Sequence, residues 1–417
     1  MPDPGSLRKK TWPASVRALA HQDFQIYFAG QAISTLGKWV QQVALSWLAY
    51  HLTGSAILLG MIAFFSLAPQ LLIGPIAGAW IDRHDKRRLL IGVQVILALQ
   101  SLALGILAYQ QGLNASIIAS MALLLGVLNA LETPLRQSLI GSFIPDPDDL
   151  PNALVLNAML INAARFIGPP LAGVLIAYVG EAGCFLLTAV AFSGLLIGLV
   201  KVRGAPGIRA TGSTSEVFRE GLRYLWCTLD VRRLMISVVI VNLLASCYTA
   251  LLPILAKRVF QGDAQTLGWL WGAAGAGAFI ATLVLAVSGS ASRLQRFVVA
   301  GAVVCALGLL GLAVSAPLLP ALLALAFLGF GITVSNVSTN MQLQSGAPSA
   351  LRGRVVSFYI ALRFGFEAVG GLLAGFVAAH IGAPMTLGIA GGLLLVLTAA
   401  REVRKWRTAK NQPVARP

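Results

Sequence analysis

The chain has 417 residues, of which 57% are hydrophobic and only 11% are charged. A soluble domain carries about a quarter charged residues, so this composition excludes a protein whose whole surface faces water. The formal net charge of +16 admits two interpretations, a nucleic-acid-binding surface or the basic cytoplasmic loops of a membrane protein. The distribution of Lys and Arg along the chain decides between them.

Apolar runs long enough to cross a bilayer follow one another along the whole chain. Helices are the expected form, because the backbone polar groups of a segment in lipid must be satisfied within that segment. The in-and-out alternation typical of barrel strands does not occur. We predict spans at 24–49, 55–80, 89–109, 115–140, 152–178, 183–201, 232–256, 265–289, 296–315, 317–344, 354–380 and 383–401.

The basic residues are concentrated in every second loop. If the N-terminus is cytoplasmic, the predicted outer loops contain only Lys257 and Arg258, and the inner segments contain nearly all the others. This asymmetry follows the positive-inside rule. We therefore predict a multi-pass protein of the bacterial inner membrane with both termini cytoplasmic. The net charge then gives no reason to expect nucleic acid as a partner.

The segment between spans 6 and 7 is the one long polar interruption. Its second half predicts an amphipathic helix on the inner leaflet, with Val217, Leu222, Leu225 and Trp226 on one face. The chain then divides into an N-terminal tail (1–23), an N-terminal six-helix bundle (24–201), a linker (202–231), a C-terminal six-helix bundle (232–401) and a C-terminal tail (402–417).

The two halves resemble each other in sequence. GSAILLG at Gly54 matches GDAQTLG at Gly262, and GPPLAGVLIAYVG at Gly168 aligns with GGLLAGFVAAHIG at Gly370. Internal duplication is typical of transporters whose binding site lies between the repeats. We predict an all-α membrane protein with twelve transmembrane helices in two pseudo-symmetric six-helix bundles around a central cavity.

One loop motif suggests a family. The segment GAWIDRHDKRRL, between spans 2 and 3, resembles the loop motif Gly-x-Leu-x-Asp-Arg-x-Gly-Arg-Lys of the major facilitator superfamily. The matching positions are Gly78, Asp82, Arg83, Lys86 and Arg87, while Trp80 and Asp85 depart from the motif. The resemblance implies alternating access, and a cytoplasmic latch in which the Asp82 carboxylate caps the N-terminus of span 11. Arg136 is a further latch candidate, and Ser290 replaces the acid in the equivalent loop of the second half.

A second motif lies in span 5. GPPLAG is similar to the antiporter motif of the superfamily through Gly168, Pro169 and Gly173, with Ala172 in place of one glycine. LGWLWGAAGAGA in span 8 and APSALRGRV before span 11 are similar to the efflux branch that contains the macrolide and enterobactin exporters. The resemblance therefore implies export.

Six ionisable residues remain inside the predicted spans: Lys38, Glu132, Arg136, Arg165, Arg363 and Glu367. Each costs about 2.5–3.5 kcal/mol at the bilayer centre, so we expect each to face a wet cavity or a partner. The i,i+4 spacing lets Glu132 pair with Arg136 and Arg363 with Glu367, as neutralised structural pairs or as functional ones. We predict that Glu367, and secondarily Glu132, carries a coupled proton.

Four of these six residues are basic, which predicts a net positive cavity and an anionic amphiphilic substrate such as a siderophore. Substrate contacts are assigned to Lys38, Arg165 and Arg363, although Lys38 also has the length to snorkel. Uncharged polar residues either line the same cavity or fasten helices together. These are Gln31, Gln42, Asn129, Asn162, Asn242, Tyr248, Asn336 and Asn340.

No other chemistry is indicated. The four cysteines are far apart and the four histidines lie at membrane edges, which predicts neither a disulfide framework nor a metal site. No phosphate-binding loop or nucleophile–base pair occurs, so we expect no enzyme activity and no cofactor. The expected partners are a small-molecule substrate, protons and the lipid bilayer, and we expect a monomer. Two alternatives remain: a multidrug pump of the macrolide type, and an uptake carrier or lysophospholipid transporter.

Overall fold

A computed structural model describes residues 14–81, 83–202, 222–288, 293–348 and 351–410. The helices are α1 (Gln22–Thr53), α2 (Ala56–Ile81), α3 (Lys86–Tyr109), α4 (Ala115–Leu139), α5 (Leu150–Lys201), α6 (Leu229–Ala245), α7 (Tyr248–Ile254), α8 (Ala264–Ser288), α9 (Leu294–Val314), α10 (Leu318–Gly346), α11 (Arg352–Ile381) and α12 (Ala383–Lys410).

The predicted all-α membrane fold class is confirmed, and the helices of the described residues are consistent with twelve crossings. The long helix α5 supplies two, because it reverses at Gly180, whose φ of 70° favours glycine. Helices α6 and α7 together supply one, which ends in a π turn at Leu255–Val259. Ten segments, of which α5 is one, are long and apolar enough to cross a membrane. The remaining crossing is the more polar α1, which carries Lys38.

Two helix pairs join the two halves of the molecule. Within the first half, α1 and α3 pack along α5, and α2 packs on α4. Within the second half, α9 packs on α10 and α12, and α8 packs on α10. Between the halves, α2 packs along α11 and α5 packs along α8.

Glycine residues allow the helices of each of these two pairs to approach each other closely. We call the two contacts between the halves, α2 with α11 and α5 with α8, the seams. A Cβ atom at Gly275 of α8 would lie 2.5 Å from the carbonyl oxygen of Arg165 on α5. A Cβ atom at Gly375 of α11 would lie 2.6 Å from the carbonyl oxygen of Ala56 on α2. Both distances are shorter than van der Waals contact, so any larger side chain forces the backbones apart.

Among the described residues, an apolar cluster shared by the two halves occurs at one end only. We name the end at which α1 begins and α12 ends the termini end. At the opposite end a single apolar cluster includes residues of both halves, among them Trp47 and Leu252. At the termini end, Phe143 belongs to a cluster of the first half and Tyr359 to a separate cluster of the second half. In the described residues α4 does not pack on α11, and the part of α5 before Gly180 does not pack on α10.

The linker and the C-terminal tail differ in part from the prediction. Val217 lies outside the described residues, but 222–227 is helical. Leu225 packs into the apolar cluster of the second half, whereas Leu222 and Trp226 remain exposed. Helix α12 continues to Lys410 instead of ending at residue 401, because charged residues that leave the bilayer still favour the helix.

The seam between α5 and α8 generates a prediction. Gly275→Leu should lower the melting temperature in detergent, because a side chain in a well-packed seam costs about 1–3 kcal/mol. Gly92→Leu on α3 is the matched control, since the space beside Gly92 is open. Thermal unfolding followed by size-exclusion chromatography measures both. Equal melting temperatures for the two variants would contradict the seam.

Candidate functional site

Glu132 of α4 is the centre of a buried polar network in the first half. Its side chain is only 1% exposed and accepts bonds from three helices. Lys38 Nζ of α1 lies 2.9 Å from Oε2, and Gln94 Nε2 of α3 lies 2.7 Å from Oε1. Arg136, one turn along α4, approaches Oε1 to 2.6 Å. Three donors, two of them cationic, therefore satisfy this carboxylate.

Arg136 extends the network toward the start of α1. Its guanidinium donates to Ser34 Oγ at 2.7 Å and to Thr35 Oγ1 at 3.2 Å. The i,i+4 pairing of Glu132 with Arg136 occurs as the spacing indicated. Lys38 lies at the edge of the network: its ammonium is held by Glu132, and 33% of its side chain is exposed.

A second group of charges lies where the two halves meet. Glu367 and Arg363 are on α11, and Arg165 on α5 is close enough to Glu367 to interact with it electrostatically. The Arg165 guanidinium also lies beside the Tyr248 hydroxyl. Glu367, Arg363 and Arg165 all keep part of their surface accessible. The alignment of Gly168 with Gly370 also aligns Arg165 with Glu367. These two residues, which occupy equivalent positions in the two halves, are close in space.

Glu367 differs from Glu132 in having no direct partner. Among the described residues, no ion pair within 4.0 Å and no hydrogen bond involves Glu367. The expectation that Arg363 closes on Glu367 along one helix face is wrong for this conformation. The Arg363 guanidinium instead lies 5.0 Å from the centre of the Phe364 ring and beside the Tyr359 hydroxyl. Within the described residues, Glu367 therefore has neighbouring cations but no fixed bond.

Three of the eight uncharged polar residues predicted to line the cavity instead join helices together. Gln31 Nε2 donates to Asn157 Oδ1 at 2.5 Å, which joins α1 to α5. Asn242 and Asn336 exchange hydrogen bonds of 3.0 and 3.1 Å, which join α6 to α10. These three predicted residues are buried, and in this conformation they are packing residues rather than cavity lining.

The remaining predicted polar residues differ in how much of their side chain is exposed. Asn162 donates to its own helix at Ala158 O, and Asn340 accepts from Gln344; both are partly exposed, as is Gln42. Asn129 is buried, and its Oδ1 has no hydrogen-bond partner in the described residues.

The motif between α2 and α3 has a second role that the sequence did not reveal. Asp82 and the surroundings of Gly78 lie outside the described residues, as does Ser290. Asp85 caps the N-terminus of α3 by accepting from the backbone N–H groups of Arg87 and Arg88. The Arg87 side chain donates to the Leu199 and Val200 carbonyls at the end of α5. An Asp directly before a run of helix-forming residues is the signal that would have predicted the cap.

The antiporter-like motif forms the contact surface of α5. A Cβ at Gly168 would meet Trp39 at 2.5 Å, and one at Gly173 would meet the Ala264 carbonyl oxygen at 2.7 Å. From the other side, Gly268 approaches the Pro169 carbonyl oxygen equally closely. The motif residues therefore define how closely α8 approaches α5.

Asp149 forms a site at the termini end that sequence reasoning missed. Its carboxylate bonds His21 Nε2 at 2.9 Å and the Arg17 guanidinium, while Asn152 accepts from Ala18 N. These bonds attach the segment before α1 to the loop before α5. The hydrogen bond from His21, supported by Arg17, lowers the pKa of the Asp149 carboxyl below its ordinary value.

The family model of transmembrane secretion effectors matches residues 14–416. The chain belongs to the transmembrane secretion effector family of the major facilitator superfamily. It is therefore a membrane transporter of the efflux type and not an enzyme.

Several relatives have established names. The chain is 31% identical to the staphyloferrin A transporter of Staphylococcus aureus over 261 residues, which is 62% of this chain and 66% of that protein. It is 29% identical to the multidrug efflux pump Tap of Mycolicibacterium fortuitum over 361 residues, 82% and 86% of the two chains. It is 26% identical to macrolide efflux protein A of Streptococcus pyogenes over 152 residues, 36% and 37% of the two chains.

Solved structures share the fold at low sequence identity. An inward-facing, unoccupied bacterial homologue of the human lysosomal transporter Spinster superposes with a TM-score of 0.72 and 14% identity, covering 91% of this chain and 96% of that chain. A POT family transporter in complex with 5-aminolevulinic acid gives a TM-score of 0.71 and 13% identity, covering 91% and 95%.

The Glu132 network yields a prediction about stability. Glu132→Gln leaves Lys38 and Arg136 without their anion, and breaking a buried ion pair in this way costs about 3–5 kcal/mol. We expect a lower melting temperature and a lower yield of monodisperse protein. Lys38→Met combined with Glu132→Gln restores the net charge of the network and should recover part of the loss. A single variant as stable as wild type would contradict the role of Glu132.

The Asp149 attachment yields a prediction about pH. Asp149→Asn should lower the melting temperature by a few degrees at pH 7, with the exposed neighbour variant Asp148→Asn as control. Because the pKa of Asp149 is depressed on folding, the stabilisation is present above the ordinary value of 3.8 and disappears as pH falls through the lower, folded value. Melting curves from pH 7 to pH 3 test this. A difference between wild type and Asp149→Asn that closes already at pH 6 would contradict it.

Proposed function

We propose that the protein exports an anionic amphiphile through the bacterial inner membrane by alternating access, in exchange for protons. The observation that carries this proposal is the position of Glu367. It lies where the halves meet, near two arginines, and has no fixed partner. The relatives named above, two of them efflux proteins, support export over uptake.

The orientation rests on the charges of the loops. The termini end carries the basic residues before α3, before α6 and at the end of α12, whereas the opposite end carries Lys257 and Arg258. The positive-inside rule then puts the termini end in the cytoplasm. Because the apolar clusters of the two halves are separate at that end within the described residues, we interpret this conformation as open toward the cytoplasm.

Proton coupling follows from ordinary electrostatics. Desolvation favours the neutral form of a carboxyl group, and a nearby guanidinium favours the ionised form. When the halves rock, the distances from Glu367 to Arg165 and to solvent change together, since Arg165 belongs to the other half. Glu367 would therefore load a proton in one state and release it in the other. Glu132 has three donors in this state, so we assign the proton to Glu367 in preference to Glu132.

The substrate class follows from the balance of charge. Arg165 and Arg363 exceed the ionised Glu367 by one positive charge. The group therefore attracts an anion while no proton is bound. The likeness to the staphyloferrin A transporter supports a siderophore-like anion.

A multidrug pump of the macrolide type is the second candidate. Trp39 of α1 and Trp271 of α8 form an edge-to-face pair between the halves, with ring centres 5.7 Å apart. Such a pair offers an apolar surface to large neutral compounds. The likeness to Tap extends over most of both chains.

Transport in proteoliposomes tests the proposal. With an imposed pH gradient, acidic on the outer side, wild type should drive staphyloferrin A uphill. Glu367→Gln should lose this pH-driven accumulation at least tenfold, yet retain exchange of substrate for substrate, because only the titrating group is removed. Asp230→Asn, which changes an exposed acid at the termini end, is the matched control.

Three outcomes of this assay are informative. Undiminished uphill transport by Glu367→Gln would overturn the assignment of the proton. Transport of erythromycin but not of staphyloferrin A would favour the second candidate. Substrate accumulation that ignores the pH gradient in wild type would contradict proton coupling itself.

A further inference from the structure

A pocket at the end opposite the termini is not explained by the proposed transport path. It has a volume of about 220 Å³ and is lined by Trp47, Tyr50, His51, Gly54, Lys257 and Arg258. The aromatic residues belong to α1 in the first half, and the two cations belong to the π turn after α7 in the second half. The pocket therefore exists only while the outer ends of the two halves are in contact.

The cations of this pocket are exceptional. Lys257 and Arg258 are the only basic residues in the predicted outer loops, where the positive-inside rule disfavours them. Both side chains are exposed. Among the described residues, neither forms an ion pair. Two acids lie at the same end of the molecule: Glu181 is 3.7 Å from His51, and Asp263 accepts from Thr266. Within the described residues, neither acid forms an ion pair with Lys257 or Arg258.

The backbone that carries these cations is also unusual. Residues Leu255–Val259 form a π turn, in which Phe260 N bonds Leu255 O at 2.9 Å. A π turn contains one residue more than an α turn, is rare, and recurs at functional sites. The turn follows Pro253, and Gln261, two residues after the turn, has a φ of 50°. The turn is thus a local departure from the helix, and it places two adjacent cations beside one pocket.

The geometry points to an external binding site for an amphipathic aromatic anion. The wall formed by Trp47 and Tyr50 is apolar and suits a ring, while Lys257 and Arg258 suit a carboxylate, catecholate or phosphate. A ligand that bridges α1 and the π turn stabilises the state in which the outer ends are closed, because the other state lacks the pocket. This last step rests on the proposed alternating access; the binding site itself does not.

The consequence for transport is inhibition from the outside. An anion that accumulates on the outer face would occupy the pocket and hold the outer gate closed, so export would slow as its product builds up. Two sources share this ligand chemistry: a released aromatic anion, and the headgroup of an anionic lipid. Both present a negative group attached to an apolar body.

Binding is tested on the full chain in nanodiscs of phosphatidylcholine. The probe is 2,3-dihydroxybenzoate, and the signal is quenching of tryptophan fluorescence, with Trp47→Phe defining the Trp47 component. We expect saturable quenching in wild type and at least a tenfold loss of affinity in Lys257→Gln/Arg258→Gln. Arg232→Gln/Arg233→Gln, a pair of adjacent exposed arginines at the termini end, is the matched control and should bind as wild type does.

Two further arms separate the remaining possibilities. Arg165→Gln should keep the Trp47 signal, because Arg165 belongs to the central charges and not to this pocket. A failure of this binding site can thereby be distinguished from a failure of the proposed transport function. Adding phosphatidylglycerol identifies the source: competition indicates the lipid headgroup, and its absence indicates a soluble anion. Quenching that is the same in Lys257→Gln/Arg258→Gln as in wild type, or no Trp47-dependent quenching at all, would overturn the site.

Discussion

A charge inside hydrocarbon is stable only beside a partner or beside water, and this constraint organises the molecule. Of the six charged residues in the predicted spans, Lys38, Glu132 and Arg136 satisfy one another within the first half. Arg165, Arg363 and Glu367 do not, and they lie where the halves meet. The fold thus separates a closed set of charges from an open one, and the open set contains Glu367, for which we propose the coupled proton.

The close approach of the helices at the two seams is compatible with a tilting motion of one half against the other. Glycines let α5 approach α8 and let α2 approach α11 closely enough for backbone contact, so each half can tilt against the other along narrow, smooth surfaces. Broad interlocking side chains would instead fix one relative orientation, because well-packed interfaces resist intermediate arrangements. The shared apolar cluster at one end and the divided clusters at the other are what such a tilt produces.

The sequence predicted the features that depend on local spacing. Span positions follow from apolar runs, and the Glu132–Arg136 contact follows from i,i+4 spacing on one helix. The proximity of Arg165 to Glu367 followed from the internal repeat. By contrast, the bond from Lys38 to Glu132 depends on how α1 rotates against α4, which no local pattern encodes. Asn242 and Asn336 show the same limit, since the sequence does not distinguish an intramembrane amide that lines a cavity from one that joins two helices by a hydrogen bond.

The position of Arg363 was mispredicted for an instructive reason. Spacing allows it to meet Glu367, but a neighbouring Phe364 ring and the Tyr359 hydroxyl offer the guanidinium competing partners. Cation–π contact is worth about 0.5–2 kcal/mol, comparable with a helix i,i+4 ion pair or larger. Competition between partners of similar energy cannot be decided from sequence, and it is this competition that leaves Glu367 without a fixed bond.

Helix α11 carries both the Glu367 carboxyl group and the glycines of the seam with α2. Glu367 lies two residues from Gly365, whose missing side chain makes room for Leu71 of α2, and one turn from Gly371, which faces Ala63. A change in the charge of Glu367 therefore alters the forces on the same helix that forms one of the two contacts between halves. Because Arg165 on α5 borders the other seam at Gly275, an electrostatic change between these two residues acts on both contacts at once. The proton that we propose for Glu367 would therefore act on the relative tilt of the two halves through both contacts.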